Sequence, residues 1–178
     1  MSGRRLRGFT LIELLIAMAI AVLLLVLAMP GYTLWVADSQ IRNAAESVAS
    51  GLRSAQATAI TRNRSAQFVL NNAAAPTAWD VMMVDTPAVS LQTGSFLEGS
   101  KDAKVQGYDA ATSLATTVAF NALGQVIDNA TNIVQVDVTF PTISGTRPLR
   151  VRVGAGLNGV KLCEPAITDA TDPKFCPP

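Results

Sequence analysis

One carboxylate stands alone in a long apolar run. Residues 8–29 read GFTLIELLIAMAIAVLLLVLAM, and Glu13 is their single charged residue. A bare acid at membrane depth costs about 2.5 kcal/mol or more, so an acid placed there points to a role. The chemistry open to it is ion pairing, because a buried carboxylate needs a cationic partner. Two other groups could do chemistry. Cys163 and Cys176 are the only cysteines, and both lie near the C-terminus. Arg147, Arg150, Arg152, Lys161 and Lys174 form a cationic series in the same region. Arg150 and Arg152 would share one face of a strand, a stripe that could meet phosphates. The chain has no histidine, which removes Ser-His-Asp, Cys-His and the common zinc constellations. Asp80 and Asp85 read as solvated strand and turn residues. No P-loop or dinucleotide glycine signature occurs, and Gly154-Ala155-Gly156 reads as a turn. We expect no enzyme, no cofactor and no metal.

The elements that must position these residues follow from pattern. Arg4, Arg5 and Arg7 precede the run and suit the cytoplasmic side of a membrane. Residues 9–29 are long enough to span a bilayer, which takes about 20 apolar residues. A secretory signal peptide carries a shorter core of about 7–15 residues and ends in small residues. A plain signal anchor would explain the length and the leader, but neither Glu13 nor the Gly8-Phe9 junction. Beyond Pro30, the positions Ile41, Ala44, Ala45, Val48, Leu52, Ala55, Ala59 and Ile60 recur at three- and four-residue steps. Together the two patterns predict one helix over about 10–61, its first half in lipid and its second half on a globular head. Pro30 would kink it rather than end it. After Arg64 the pattern changes to short β-rich runs at 65–70, 79–84, 116–121, 133–140 and 149–153. Asn71-Asn72, Thr86-Pro87, Gly94, Gly99, Asp128-Asn129, Ser144-Gly145 and the Gly154 segment supply turn chemistry between them. One helix followed by strands indicates an α+β fold.

The residues Gly8-Phe9-Thr10-Leu11-Ile12-Glu13-Leu14 resemble the processing site of type IV pilins and of the related pseudopilins of type II secretion. The stretch 118–124, VAFNALG, resembles the central motif of the GspH/FimT family, and 159–165 with Phe175-Cys176 resembles the tail of FimT- and FimU-type minor pilins. The resemblance implies a type IV pilin-like fold, a long helix packed on a β-sheet or β-sandwich head. It divides the chain into a prepilin leader (1–8), a transmembrane and assembly helix (9–30), its amphipathic continuation (31–64) and a β-rich head (65–178). It also implies that a prepilin peptidase cuts between Gly8 and Phe9 and that Phe9 becomes N-methylated. Glu13 would pair with the new amino terminus of a neighbouring subunit, and Pro30 would mark a bend in the assembly helix.

Loss of the leader arginines takes the formal charge from +1 to −2, so the mature chain makes no general case for binding polyanions. Export would place the cysteines in an oxidising compartment, where Cys163 and Cys176 make one bridge. Two thiols without histidine leave a zinc site incomplete. The function implied is a minor pilin that helps prime and assemble a type IV pilus at its tip. The partners would be major and minor pilins, the peptidase, the inner-membrane assembly platform and the inner membrane itself. The chain would be single-pass with a periplasmic head, and then part of the fibre. One alternative is a DNA-binding minor pilin of natural transformation, using Arg147, Arg150, Arg152 and Lys161. DNA-binding relatives carry Gly-Arg-x-Arg before the tail cysteine, where this chain has Asn158-Gly159-Val160-Lys161, so any DNA contact would be weak. The other alternative is a GspH-type minor pseudopilin of type II secretion.

Overall fold

The computed structural model describes residues 9–72, 75–85, 89–97, 99–127, 130–154 and 159–176. By internal contacts the chain divides into two units, one ending at Trp35 and one beginning at Val36.

The first unit is helical. Helix α1 (Leu11–Arg62) begins here and continues into the second unit. Its start is built by Thr10, whose Oγ1 accepts the Glu13 N–H at 3.3 Å, while Leu14 N–H donates to Thr10 O at 3.2 Å. Thr10 is thus an N-cap with a glutamate three residues on, the spacing of a capping box. Every large apolar residue from Leu11 to Leu27 keeps more than half its surface exposed. Taken alone, no helix among the described residues is both long and apolar enough to cross a membrane. Leu11–Leu27 passes only when joined to the helical segment Gly31–Arg62. The backbone stays helical through Pro30, so the proline does not end the helix.

The second unit packs the rest of α1 on two antiparallel four-stranded sheets. One sheet has the order β3-β2-β1-β5 and the other β4-β6-β7-β8. The strands are β1 (Ala66–Leu70), β2 (Ala78–Met83), β3 (Ser90–Ser95), β4 (Lys104–Tyr108), β5 (Thr117–Phe120), β6 (Gln135–Thr139), β7 (Leu149–Val153) and β8 (Val160–Cys163). Their period-two alternation turns Phe68, Val81, Val118, Val136, Val138 and Val151 into the core. There they meet Ala37, Ile41, Ala44, Ala45, Val48, Leu52, Ala55 and Ala59 of α1, all without exposed surface. The expected stripe therefore holds up to Ala59. Ile60 departs from it and is half exposed, because it sits about 100° round the helix from Ala59 in the last turn. The helix ends in a Schellman motif. Asn63 takes the left-handed conformation (φ 50°), its N–H donates to Ile60 O, and Arg64 N–H donates to Ala59 O.

Five strands fall where the sequence placed them, as β1, β2, β5, β6 and β7. Three more were not expected: β3, β4 and β8. Gly94, expected in a turn, lies inside β3 opposite Trp79. The reason is room. A Cβ on Gly94 would come within 2.3 Å of the Trp79 ring, and one on Gly51 of α1 within 2.9 Å. The indole thus lies against two glycines, and its Nε1–H donates to Ser47 Oγ at 2.9 Å. The expected turns at Thr86-Pro87, at Asp128-Asn129 and beyond Gly154 lie outside the described residues.

Candidate functional site

The assembly residues occupy the first unit. Gly8 lies outside the described residues; Phe9 precedes the helix and is exposed. Glu13 is exposed on the first turn, and its carboxylate has no hydrogen-bond or ion-pair partner among the described residues. Only its backbone is engaged, by Thr10. The acid, without a partner among the described residues, heads an apolar stretch from Leu11 to Leu27 whose large side chains are all more than half exposed. The capping-box spacing is legible in Thr10-x-x-Glu13, beside the membrane-depth argument for the acid's outward role.

The tail residues come together around β7 and β8. Cys163 and Cys176 form a disulfide with a Cα–Cα distance of 5.1 Å. Cys163 is buried, and the bridge folds the tail back so that Glu164 N–H donates to Lys174 O and Glu164 pairs with Phe175 in a parallel bridge. The Lys174 ammonium meets Glu164 Oε1 at 3.1 Å.

The cationic stripe is less free than its sequence suggests. Arg150 and Arg152 do point the same way from β7, as period two requires. But Arg150 lies opposite Asp137 of β6, and the two form a forked pair at 2.6 and 2.8 Å. That hydrogen bond raises the Arg150 pKa against the lowering effect of partial burial, with the Asp137 charge adding to the rise. Lys161, opposite Arg152, donates from Nζ to Phe175 O at 3.1 Å. Two of the four candidate DNA contacts are therefore engaged inside the fold. Arg147 uses its backbone N–H on Asp38 Oδ1 at 2.9 Å, which leaves its guanidinium and that of Arg152 without partners among the described residues. Asp80 accepts from Ser90 Oγ, and Asp85 pairs with Arg64 at 2.6 Å, with both side chains of that pair about half exposed, as expected of solvated strand and turn residues.

Sequence reasoning missed Asp38 and Arg42. They stand four apart on α1, and with Arg147, Leu149, Glu164 and Lys174 they line a hollow of about 130 Å³. The available signal was an acid and a base one helical turn apart, beside the predicted apolar stripe.

Two family descriptions match the chain. A prokaryotic N-terminal methylation motif matches residues 3–29, and the family described as Type II transport protein GspH matches residues 44–156. No curated protein matches it. Among solved structures, the type IV minor pilin FimU of Pseudomonas aeruginosa superposes in its P21 crystal form with a TM-score of 0.51 at 13% identity, over 68% of this chain and 87% of that one. The P65 form gives 0.49 at 12% identity, over 68% and 90%. The first of these shows a shared fold: a long helix on antiparallel sheets, as in type IV pilins.

Proposed function

This chain belongs to the GspH family, and from that premise we propose that it is a minor pilin subunit that helps prime and assemble a type IV pilus. The observation that carries the proposal is the first unit: an apolar helical stretch exposed on all sides, headed by an acid with no partner among the described residues, under a matched methylation motif. In the proposed sequence of events, peptidase cleavage after Gly8 frees the Phe9 amine. Phe9 is then N-methylated. The head stands in the periplasm while the run from Phe9 toward Pro30 rests in the inner membrane. On assembly, Glu13 of one subunit meets the Phe9 amine of its neighbour, so that each neutralises a charge the other could not bury alone. The helix then exchanges lipid for the helices of other pilins.

The family's description favours a second reading, a minor pseudopilin of type II secretion, which would use the same N-terminal chemistry. The disulfide-closed tail supports the pilus reading, through its likeness to FimT- and FimU-type tails. The DNA-uptake alternative is left with Arg147 and Arg152 as the candidate cations without partners among the described residues, and no observation favours it over assembly. Intact-mass measurement of the chain from a strain with a prepilin peptidase tests the proposal. Loss of residues 1–8 with gain of one methyl group is expected; an uncut, unmethylated N-terminus would overturn it.

A further inference from the structure

A hollow lined by charged residues lies beside the tail. Its walls are Asp38 and Arg42 from α1, Arg147 and Leu149 at the start of β7, and Glu164 and Lys174 from the tail. A smaller hollow of about 80 Å³ shares Arg42, Leu149, Glu164 and Lys174 and runs back to Leu162 and Cys163. Within these walls two charges are already placed. Asp38 holds the Arg147 backbone N–H, and Glu164 holds the Lys174 ammonium. The guanidinium groups of Arg42 and Arg147 have no partner among the described residues. Two arginines with open forks thus line one cavity, whose lining carries three cations and two acids. A guanidinium fork matches a planar carboxylate through two parallel hydrogen bonds.

Size and charge together select the occupant. Sites for small molecules usually enclose about 300–1,000 Å³. This hollow is well below that and has room for the end of a side chain. A polyanion would have to run on past Asp38 and Glu164, and the nearby cations Arg150 and Lys161 are held by Asp137 and by the Phe175 carbonyl. A single carboxylate meets both forks and leaves the acids where they are. We propose that this cleft seats one acidic side chain of a neighbouring protein subunit, clamped between Arg42 and Arg147. The identity of the neighbour rests on the assembly reading above; the seat does not. The Cys163–Cys176 bridge closes the loop that carries Glu164 and Lys174, so it holds one wall of the seat in place.

The test is an NMR titration of the full processed chain in detergent micelles, following the side-chain Nε–Hε resonances of Arg42, Arg147 and, as a control, the exposed Arg62 of the last helical turn. Sodium acetate is the first probe, with chloride replaced to keep ionic strength fixed. The peptide Gly-Glu-Gly, blocked at both ends, is the second, with Gly-Gln-Gly as its neutral counterpart. Arg42 and Arg147 should shift together and saturate with a common midpoint for acetate and for the glutamate peptide, while Arg62 does not saturate. Arg42→Gln should weaken the response at Arg147 by about tenfold, as expected when one of two charge-assisted forks is lost. Linear shifts at all three arginines, an unchanged midpoint in Arg42→Gln, or an equal response to the glutamine peptide would overturn the proposal. So would an oligothymidylate that displaces acetate at far lower concentration in an Arg42-dependent way, since the occupant would then be nucleic acid. The titration reads the seat directly, so a failure of the mass test for processing would leave its result standing.

Discussion

One helix runs through two units and obeys a different rule in each. Up to Leu27 its large apolar residues are exposed on every side; from Ala37 to Ala59 one side is fully buried and the rest is polar. Both stretches are equally helical. What differs is where the partner lies. Ala44, Ala45, Ala55 and Ala59 let the second stretch lie close to sheets made by the same chain. The first stretch has bulk all round, which suits a surface that surrounds it, whether lipid or other helices. Burial in the second unit is a folding term, whereas the large side chains of the first stretch gain no such term among the described residues.

That contrast can be broken by mutation, and the largest effect belongs to the head. Trp79→Ala removes a buried ring that touches Phe68, with centroids 5.8 Å apart, and lies against Gly51 and Gly94. Denaturant unfolding of the full chain in detergent should show a loss of about 3–5 kcal/mol. A loss below about 1 kcal/mol would mean that the second unit is not organised around this side chain. Next is the disulfide. Replacing Cys163 and Cys176 by serine should cost about 3 kcal/mol on the loop-entropy argument. Non-reducing peptide mapping should find the two cysteines joined in protein taken from the periplasm, and free thiols there would refute the bridge. A smaller effect is expected at the Arg150–Asp137 pair, whose side chains are each about a quarter exposed. Arg150→Ala should cost about 1 kcal/mol, since solvent screens the pair. Double-mutant analysis with Asp137→Asn should recover most of that loss as coupling. The smallest effect is expected in the first unit. Leu23→Ala should change unfolding of the head by less than about 0.5 kcal/mol, because Leu23 is exposed and lies outside the buried core.

The sequence made the first unit easier to read than the second. The apolar run, the lone acid and the Gly8-Phe9 junction are local signals; the continuation of the helix past Pro30 came from the three- and four-residue spacing of Ile41 to Ala59, and the α+β class from the strand-like runs after Arg64. The strands that escaped notice lack such signals. Strand β3, SLQTGS, is a polar edge strand without buried alternation, and its Gly94 looks like turn chemistry until the indole of Trp79 is seen against it. Strand β8 is four residues long and hidden in what reads as a tail. Of the tail chemistry, the cysteine pairing was accessible from count and compartment. The engagement of Arg150 was not, because Asp137 is brought opposite it only by the register of β6 on β7. The Arg42–Arg147 cleft was equally hidden, since its walls come from the helix, a strand and the tail.

The most direct test of the account concerns Glu13. In a strain lacking the wild-type gene, the wild-type chain and Glu13→Val are expressed at equal levels, and each is quantified in the inner membrane and in sheared surface fibres. The substitution removes a polar cost from the apolar run, so both chains should reach the membrane, and their heads should unfold at the same denaturant concentration. The account predicts that the wild-type chain appears in the fibre fraction and that Glu13→Val remains in the membrane. Equal recovery of the two chains in fibres, or the absence of the wild-type chain from fibres, would contradict it.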